Sequence, residues 1–282
     1  LSEGSLSFER MEQVRGELGL GVNRFLKLAG IAKATYYRRK QGSQARSCPA
    51  QQQIVQEVST YAEQHPRYGY RRVWALLARE GISASPSTVY RLMKRFGQLQ
   101  QSPRRRGYRY SPPPRPERMG LTVGLDFTRW GKARLCNVIE YQSRYCLAAV
   151  ATLTEDAQAA SNALSQAILQ AEQLKLPTQG IEVKSDQGTA FKAKAFTEFL
   201  EASCCGQTLS AVGKPQGMGR VERFHRTLKE EYLQYEEVES LDELNRVLES
   251  FREDYNTRRP HQALDYKTPL EVIRSAQETG IV

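Results

Sequence analysis

Three carboxylates in the back half of this chain have a spacing that is hard to reach by accident. Asp126 interrupts the apolar run Leu121-Thr-Val-Gly-Leu-Asp-Phe-Thr, and Asp186 closes Ile181-Glu-Val-Lys-Ser-Asp. Glu222 lies in Gly219-Arg-Val-Glu-Arg-Phe-His-Arg-Thr-Leu-Lys. The first two end strand-like segments, where an unpaired buried carboxylate is unfavourable; the third is inside a helical pattern. The chain has six aspartates: Asp156 suits a helix N-terminus, and Asp242, Asp254 and Asp265 fall in a polar, helical tail. Hard oxygen ligands from two strands and a helix can converge on divalent cations, and a pair of such ions is a recurring device for phosphoryl transfer. Between Asp186 and Glu222 there are 35 residues.

With these residues and that interval the chain resembles the D,D,E transposases and retroviral-type integrases, and among them the bacterial insertion-sequence-three family. The likeness continues through Leu28-Ala-Gly-Ile-Ala-Lys-Ala-Thr-Tyr-Tyr-Arg, through His65-Pro-Arg-Tyr-Gly-Tyr-Arg-Arg-Val, and into Tyr255-Asn-Thr-Arg-Arg-Pro-His-Gln-Ala-Leu with Thr268-Pro. It implies an α/β, ribonuclease-H-like core, a mixed five-stranded sheet with helices, preceded by small all-α helix-turn-helix modules. Asp126, Asp186 and Glu222 would be both catalytic and metal-binding, holding two Mg²⁺ ions with Mn²⁺ as a substitute. The implied reaction nicks double-stranded DNA at element ends with water, then uses the freed 3′-OH to attack target DNA. No covalent protein–DNA intermediate is required, so no Ser or Tyr nucleophile is assigned. Joining two ends implies a homo-oligomer. Two other readings stay open: a nuclease of this fold without strand transfer, and an inactive DNA-binding regulator. Two departures from the family pattern bear on the subfamily. Gly217-Met-Gly-Arg lacks the Asp-Asn pair common there, and Glu140 stands where many relatives carry Asp.

Further along the Glu222 helix, Arg226 and Lys229 follow at spacings of four and three and share its face. The resemblance places a basic residue at the position of Lys229, where an ammonium could hold a DNA phosphate; a plain Glu222–Arg226 helix pair is the alternative. His225, three residues from Glu222, is also within reach of the site.

Charge is divided unevenly. Residues 1–118 hold 22 Lys/Arg against 8 Asp/Glu, a net of +14, while residues 119–282 hold 19 against 23, a net of −4. A basic front and a slightly acidic back fit a polyanion grip joined to a cation-binding body. The five cysteines form no C-x-x-C pair, and only His65 and Cys48 could serve an N-terminal zinc module, two ligands too few. His65 therefore reads as a structural histidine. With no signal peptide and no apolar run of membrane-spanning length, a reducing cytoplasm, nucleoid-associated in a bacterium, is the expected setting. The chain opens on Leu1, with its first methionine at Met11. Either a trimmed chain or the downstream part of a frame-fusion product, as the resemblance implies, would begin so.

The elements that must position these residues divide into five stretches. Residues 1–43 read as a helix-turn-helix: a short helix with Val22, Phe25, Leu26 and Leu28 stopped by Gly30, then Ala34–Lys40 presenting Thr35, Tyr36, Arg38 and Arg39 to DNA. Residues 44–98 read as a second such module. Its helices begin near Gln51, at Tyr70, and at Ser85-Pro86, where Ser caps and Pro opens the turn; Arg91, Lys94 and Arg95 are its candidate DNA contacts, while Tyr68 and Tyr70 read as packing residues. Residues 99–118, with Arg104, Arg105, Arg106 and a proline run, read as a basic extended linker suited to a phosphate groove. Residues 119–238 are the expected catalytic core, with strands at 121–129, 134–141, 144–153, 180–185 and near 208–212. A helix capped by Thr154 follows the third strand, another covers 193–204, and residues 239–282 form a helical extension.

Overall fold

Near-continuous apolar runs in the back half fold into one mixed sheet that is covered on both faces. The computed structural model describes residues 8–40, 49–99, 119–210 and 218–280, which fall into two compact units, Leu1–Glu57 and Val58–Val282. Strands β1 (Thr122–Trp130), β2 (Ala133–Glu140), β3 (Cys146–Thr152), β4 (Glu182–Ser185) and β5 (Gly206–Leu209) lie in the order β3-β2-β1-β4-β5. β1 pairs antiparallel with β2 and parallel with β4, so it is the strand at which the sheet changes sense.

In the first unit, α1 (Phe8–Glu17), α2 (Val22–Ala29) and α3 (Lys33–Lys40) close on Met11, Phe25, Leu26 and Tyr36. Gly30 ends α2 in the left-handed region at φ 65°, donating its N–H to Leu26, a conformation that costs glycine little. Tyr36, expected to face DNA, is instead 1% exposed, and its hydroxyl donates to Glu12 at 2.6 Å. So small a unit has few large apolar groups, and this ring is needed to fill its core. Leu28, expected on the apolar face, is exposed. Arg38 and Arg39 fall on α3, and their side chains lie outside the described ones.

The division between units falls inside α4 (Pro49–Gln64). The boundaries expected at 43 and 98 mark sequence modules; α5 (Tyr70–Arg79) and α6 (Pro86–Arg95) share their compact unit with the sheet. Ser85 accepts from the Thr88 N–H and Pro86 opens α6, as expected. Tyr68 is buried and stacks on His65 at 4.6 Å, which accounts for both rings structurally.

α7 (Ala157–Gln173) covers one sheet face with its alanine-rich stripe. Its cap is Asp156, whose carboxylate accepts from Ala159 at 2.8 Å, and not Thr154, whose hydroxyl braces that carboxylate at 2.5 Å. A carboxylate at the positive end of a helix is the stronger acceptor. The helix expected at 193–204 is α9 (Lys194–Ala202), preceded by the single-turn α8 (Thr189–Lys192), and β5 starts two residues earlier than expected. The opposite face is covered by α10 (Gly219–Thr227) and α11 (Leu241–Thr257), which bury Val221, Phe224, Leu248, Phe251 and Tyr255 against Leu135 and Ile139. A π-helical turn, Leu228–Tyr232, continues α10. The chain closes with α12 (Pro269–Glu278), whose Thr268 and Glu271 form a reciprocal capping box.

Glu140, one of the two departures, has a structural role. Its fully buried carboxylate accepts from the N–H groups of Gly120, Gln142 and Ser143 and from the Ser143 hydroxyl, the last at 2.6 Å. It fixes the turn between β2 and β3.

Candidate active site

The site is built from two parallel rows of side chains. On β1, period two puts Gly124, Asp126 and Thr128 on one face of the strand. On α10 and its continuation, Val221, His225 and Lys229 recur at four-residue intervals along one side. The rows meet rung by rung. A Cβ on Gly124 would lie 2.4 Å from Val221 Cγ2 and 2.5 Å from the Tyr141 ring, so only glycine lets the helix come this close. His225 Nδ1 is 3.7 Å from Asp126 Oδ2, and the Lys229 ammonium donates to Thr128 Oγ1 at 2.5 Å.

Asp126 is the buried member of the acidic group, its side chain 16% exposed. Burial pushes its carboxyl up to about 7; the negative charge of Asp186 adds to this, the Phe127 N–H at 2.9 Å opposes it, and Glu222 and Glu155 push it up further. The fold therefore sets Asp126 within electrostatic reach of both other carboxylates. Asp186 is exposed at the end of β4, with Oδ1 accepting from the Gly188 N–H at 2.7 Å. Gly188 matters through close approach rather than turn conformation: a Cβ there would sit 2.9 Å from that same oxygen. Glu222 is exposed on the first turn of α10. Among the described residues, no three His, Cys, Asp or Glu side chains stand close enough to grip a metal ion as they are placed.

His225 is 7% exposed, and burial, then the Lys229 charge, push its ring down to about 3. It is therefore neutral near pH 7, and its contact with Asp126 is not an ion pair. Burial also lowers the pKa of Lys229. Arg226 turns away from Glu222 and pairs with Glu230 at 3.9 Å. Arg91, Lys94 and Arg95 are all exposed on α6. Arg104, Arg105 and Arg106 lie outside the described residues. Sequence reasoning missed Gly124 and Thr128; the signal available was the period-two phase that puts both on the face of Asp126.

Two models described as integrase core domain match residues 119–215 and 203–269, and an HTH-like domain model matches residues 49–107. Residues 119–269 thus carry an integrase core domain. This integrase-core chain is 25% identical over 278 residues to the insertion element IS407 uncharacterized 31.7 kDa protein of Burkholderia multivorans, covering 96% of each. It is 27% identical over 235 residues to transposase InsD for insertion element IS2 of Escherichia coli, covering 77% of this chain and 76% of that one. The catalytic core domain of BIV integrase is similar at 23% identity and a TM-score of 0.44, over 57% of this chain and 97% of that one. The matched integrase-core residues contain Asp126, Asp186 and Glu222 together with the whole five-stranded sheet. No helix of the described residues is long and apolar enough to cross a membrane.

Proposed function

We propose that this chain is a divalent-metal-dependent polynucleotidyl transferase that nicks double-stranded DNA at element ends and joins the freed 3′-OH to target DNA. The observation that carries the reading is Asp126. A carboxylate is drawn out of water at the central strand, beside two more, with a neutral imidazole where a cationic partner would stand. A charge deficit of that kind matches a cation supplied from outside, and an all-carboxylate donor set suits Mg²⁺, or Mn²⁺ in its place. Asp126, Asp186 and Glu222 would hold two such ions. When bound, the ions activate water or the 3′-OH and stabilise the leaving 3′ oxygen.

The chain's own residues prepare that arrangement. The N–H groups of Phe127 and Gly188 each fix one carboxylate oxygen, on Asp126 and Asp186. Gly124 seats the helix bearing Glu222 directly on β1. His225 closes the inner wall without adding charge, and Lys229, which bonds Thr128, would take a DNA phosphate near the reacting bond. Arg226, the exposed α6 face of Arg91, Lys94 and Arg95, and the basic residues Arg38, Arg39, Arg104, Arg105 and Arg106 are proposed to grip element-end DNA. The active assembly is proposed to be a homo-oligomer, since two ends must be joined.

Asp126→Asn, Asp186→Asn and Glu222→Gln are each expected to abolish Mg²⁺-dependent cleavage and joining while DNA affinity at fixed salt stays near wild type. A reaction with pre-cut ends and a target plasmid separates transfer from simple cleavage: cutting without joined product would make the chain a nuclease. Near-normal turnover in any one variant removes that residue from the site.

A further inference from the structure

The π-helical turn Leu228–Tyr232 is held on opposite sides by residues distant from it in sequence. Side chains two positions apart on a helix do not share a face, so Lys229 and Glu231 leave the turn in different directions. Lys229 reaches β1, where its ammonium donates to Thr128 Oγ1 at 2.5 Å. Glu231 accepts from Arg259 at 2.8 and 2.9 Å and from Arg72 at 3.0 Å. Arg72 is on the first turn of α5, inside the residues matched by the HTH-like domain model. Leu228 and Leu233, both buried, seat the turn on the core between these contacts.

π-turns are rare, and those that interrupt α-helices are frequent at functional sites. In this one the Leu233 N–H is shared between the Leu228 carbonyl, five residues back, and the Lys229 carbonyl, four residues back. The first is the π register and the second the α register, so the backbone alone does not choose between them and outside contacts must. Arg72 can serve as such a contact because α5 is itself anchored. At its far end Arg79 forks onto Glu271 at 2.6 and 2.9 Å and donates to the Tyr266 carbonyl at 3.0 Å. Tyr70 of α5 meets Tyr90 of α6 edge-on at 5.2 Å, so the helix carrying Arg91, Lys94 and Arg95 packs on the same support.

We propose that Arg72 is a positioning residue for the reaction: through Glu231 it holds the π-turn in the register that keeps Lys229 against Thr128, on the face of β1 that bears Asp126. This role rests on the proposed reading of Lys229 as the holder of a DNA phosphate. It ties the helix pair proposed to grip element ends to the side chain proposed to hold the strand beside the cut.

The test uses the full chain, below the melting temperature of every variant. The rate at which an acylating reagent modifies Lys229 is read by mass spectrometry without metal or DNA, with the other lysines as reference. Thr128→Val frees the ammonium directly and should raise that rate by about threefold or more, as loss of one hydrogen bond would give. Arg72→Met should raise it by a similar factor, while Arg72→Lys, which can still donate to Glu231, should stay near wild type. Glu231→Gln is the second variant should Arg72→Met not fold. Joining of pre-cut ends to a target plasmid is then compared in a double-mutant cycle. Arg72→Met is expected to lower joining about three- to tenfold when Lys229 is present, and by less than about twofold in the Lys229→Ala background. No rise at Lys229 in Thr128→Val, none in Arg72→Met and Glu231→Gln, or equal losses of joining in both backgrounds, overturns the proposal. A wild type that neither cuts nor joins DNA with Mg²⁺ overturns the transferase reading instead, and the labelling alone then decides the place of Arg72.

Discussion

Among the carboxylates withdrawn from water in the larger unit, Glu231 and Asp126 are treated by the fold in opposite ways. Glu231, its side chain 11% exposed, receives Arg259 at 2.8 and 2.9 Å and Arg72 at 3.0 Å. Burial alone would push its pKa up, yet the hydrogen bonds and charges of those arginines bring it below its ordinary value. Asp126, 16% exposed, receives one backbone N–H and a neutral imidazole 3.7 Å away, and it rises to about 7. The chain thus has the means to compensate a buried carboxylate and does so where the carboxylate is structural. Glu140 makes the same point with N–H and hydroxyl donors. Where compensation is withheld, at Asp126, the deficit is what the proposed cations would meet, at a cost in stability to the metal-free chain.

The largest effect that would break this contrast is on Glu231. Arg259→Ala leaves a buried carboxylate with one cation in place of two, and is expected to cost about 3–5 kcal/mol in denaturant unfolding at pH 7. Because the folded pKa of Glu231 is depressed, its contribution is fully present above the ordinary value of 4.5 and is lost as pH falls through the folded value. Wild type should therefore approach the variant on acidification below 4.5. Asp126→Asn, by contrast, is expected to keep wild-type stability or gain about 0.5–2 kcal/mol in metal-free buffer. Equal losses in the two variants would erase the distinction between a structural and a functional carboxylate.

Only one of these two carboxylates was legible in the sequence. Asp126 stands out because it breaks an apolar run whose period is local, and the same local period puts the first three strands within a residue or two of their observed ends. The Glu231 network joins residues 28 and 159 positions apart, and no spacing rule links Arg72 to Glu231 or Glu231 to Arg259. Tyr36 was misplaced for a similar reason: its helix reads as polar, and burial comes from Met11, Phe25 and Glu12, which are distant in sequence. Thr154 and Asp156 are both good caps by type, and the choice between them is a backbone geometry that composition does not carry.

Lys229 sharpens the contrast at the next level of effect, because its ammonium bonds Thr128 on the same face of β1 as Asp126. Were it the internal counter-ion of the acidic group, the deficit at Asp126 would already be met. It bonds Thr128 instead. Lys229→Ala is therefore expected to change unfolding stability by no more than about 0.5 kcal/mol. Cleavage and joining should fall about ten- to a hundredfold, the cost of one charged hydrogen bond of roughly 1.5–3 kcal/mol. Measuring both on one protein decides the matter: a large loss of stability would make Lys229 a counter-ion, and unimpaired joining would remove it from the DNA.

Gly124 tests what forces the like charges together in the first place. It is the rung at which α10 rests on β1, and an added methyl would meet Val221 Cγ2 at 2.4 Å and the Tyr141 ring at 2.5 Å. Neither neighbour can retreat freely, since both are buried, at 0% and 3% exposure, in the layer between sheet and helices. Gly124→Ala should therefore lift α10 from the strand at an overpacking cost of about 1–3 kcal/mol. The shift carries Glu222 away from Asp126, so activity should fall by more than the stability loss alone would predict, and raised Mg²⁺ should restore part of it. The Gly188→Ala variant is the control: there the added carbon meets the Asp186 oxygen at 2.9 Å, so it perturbs one carboxylate without moving a helix. If Gly124→Ala is as stable and as active as wild type, the close seating of α10 is not what assembles the acidic row, and placement of Glu222 must rest on α11 and the buried stripe of Phe224 and Leu228 instead.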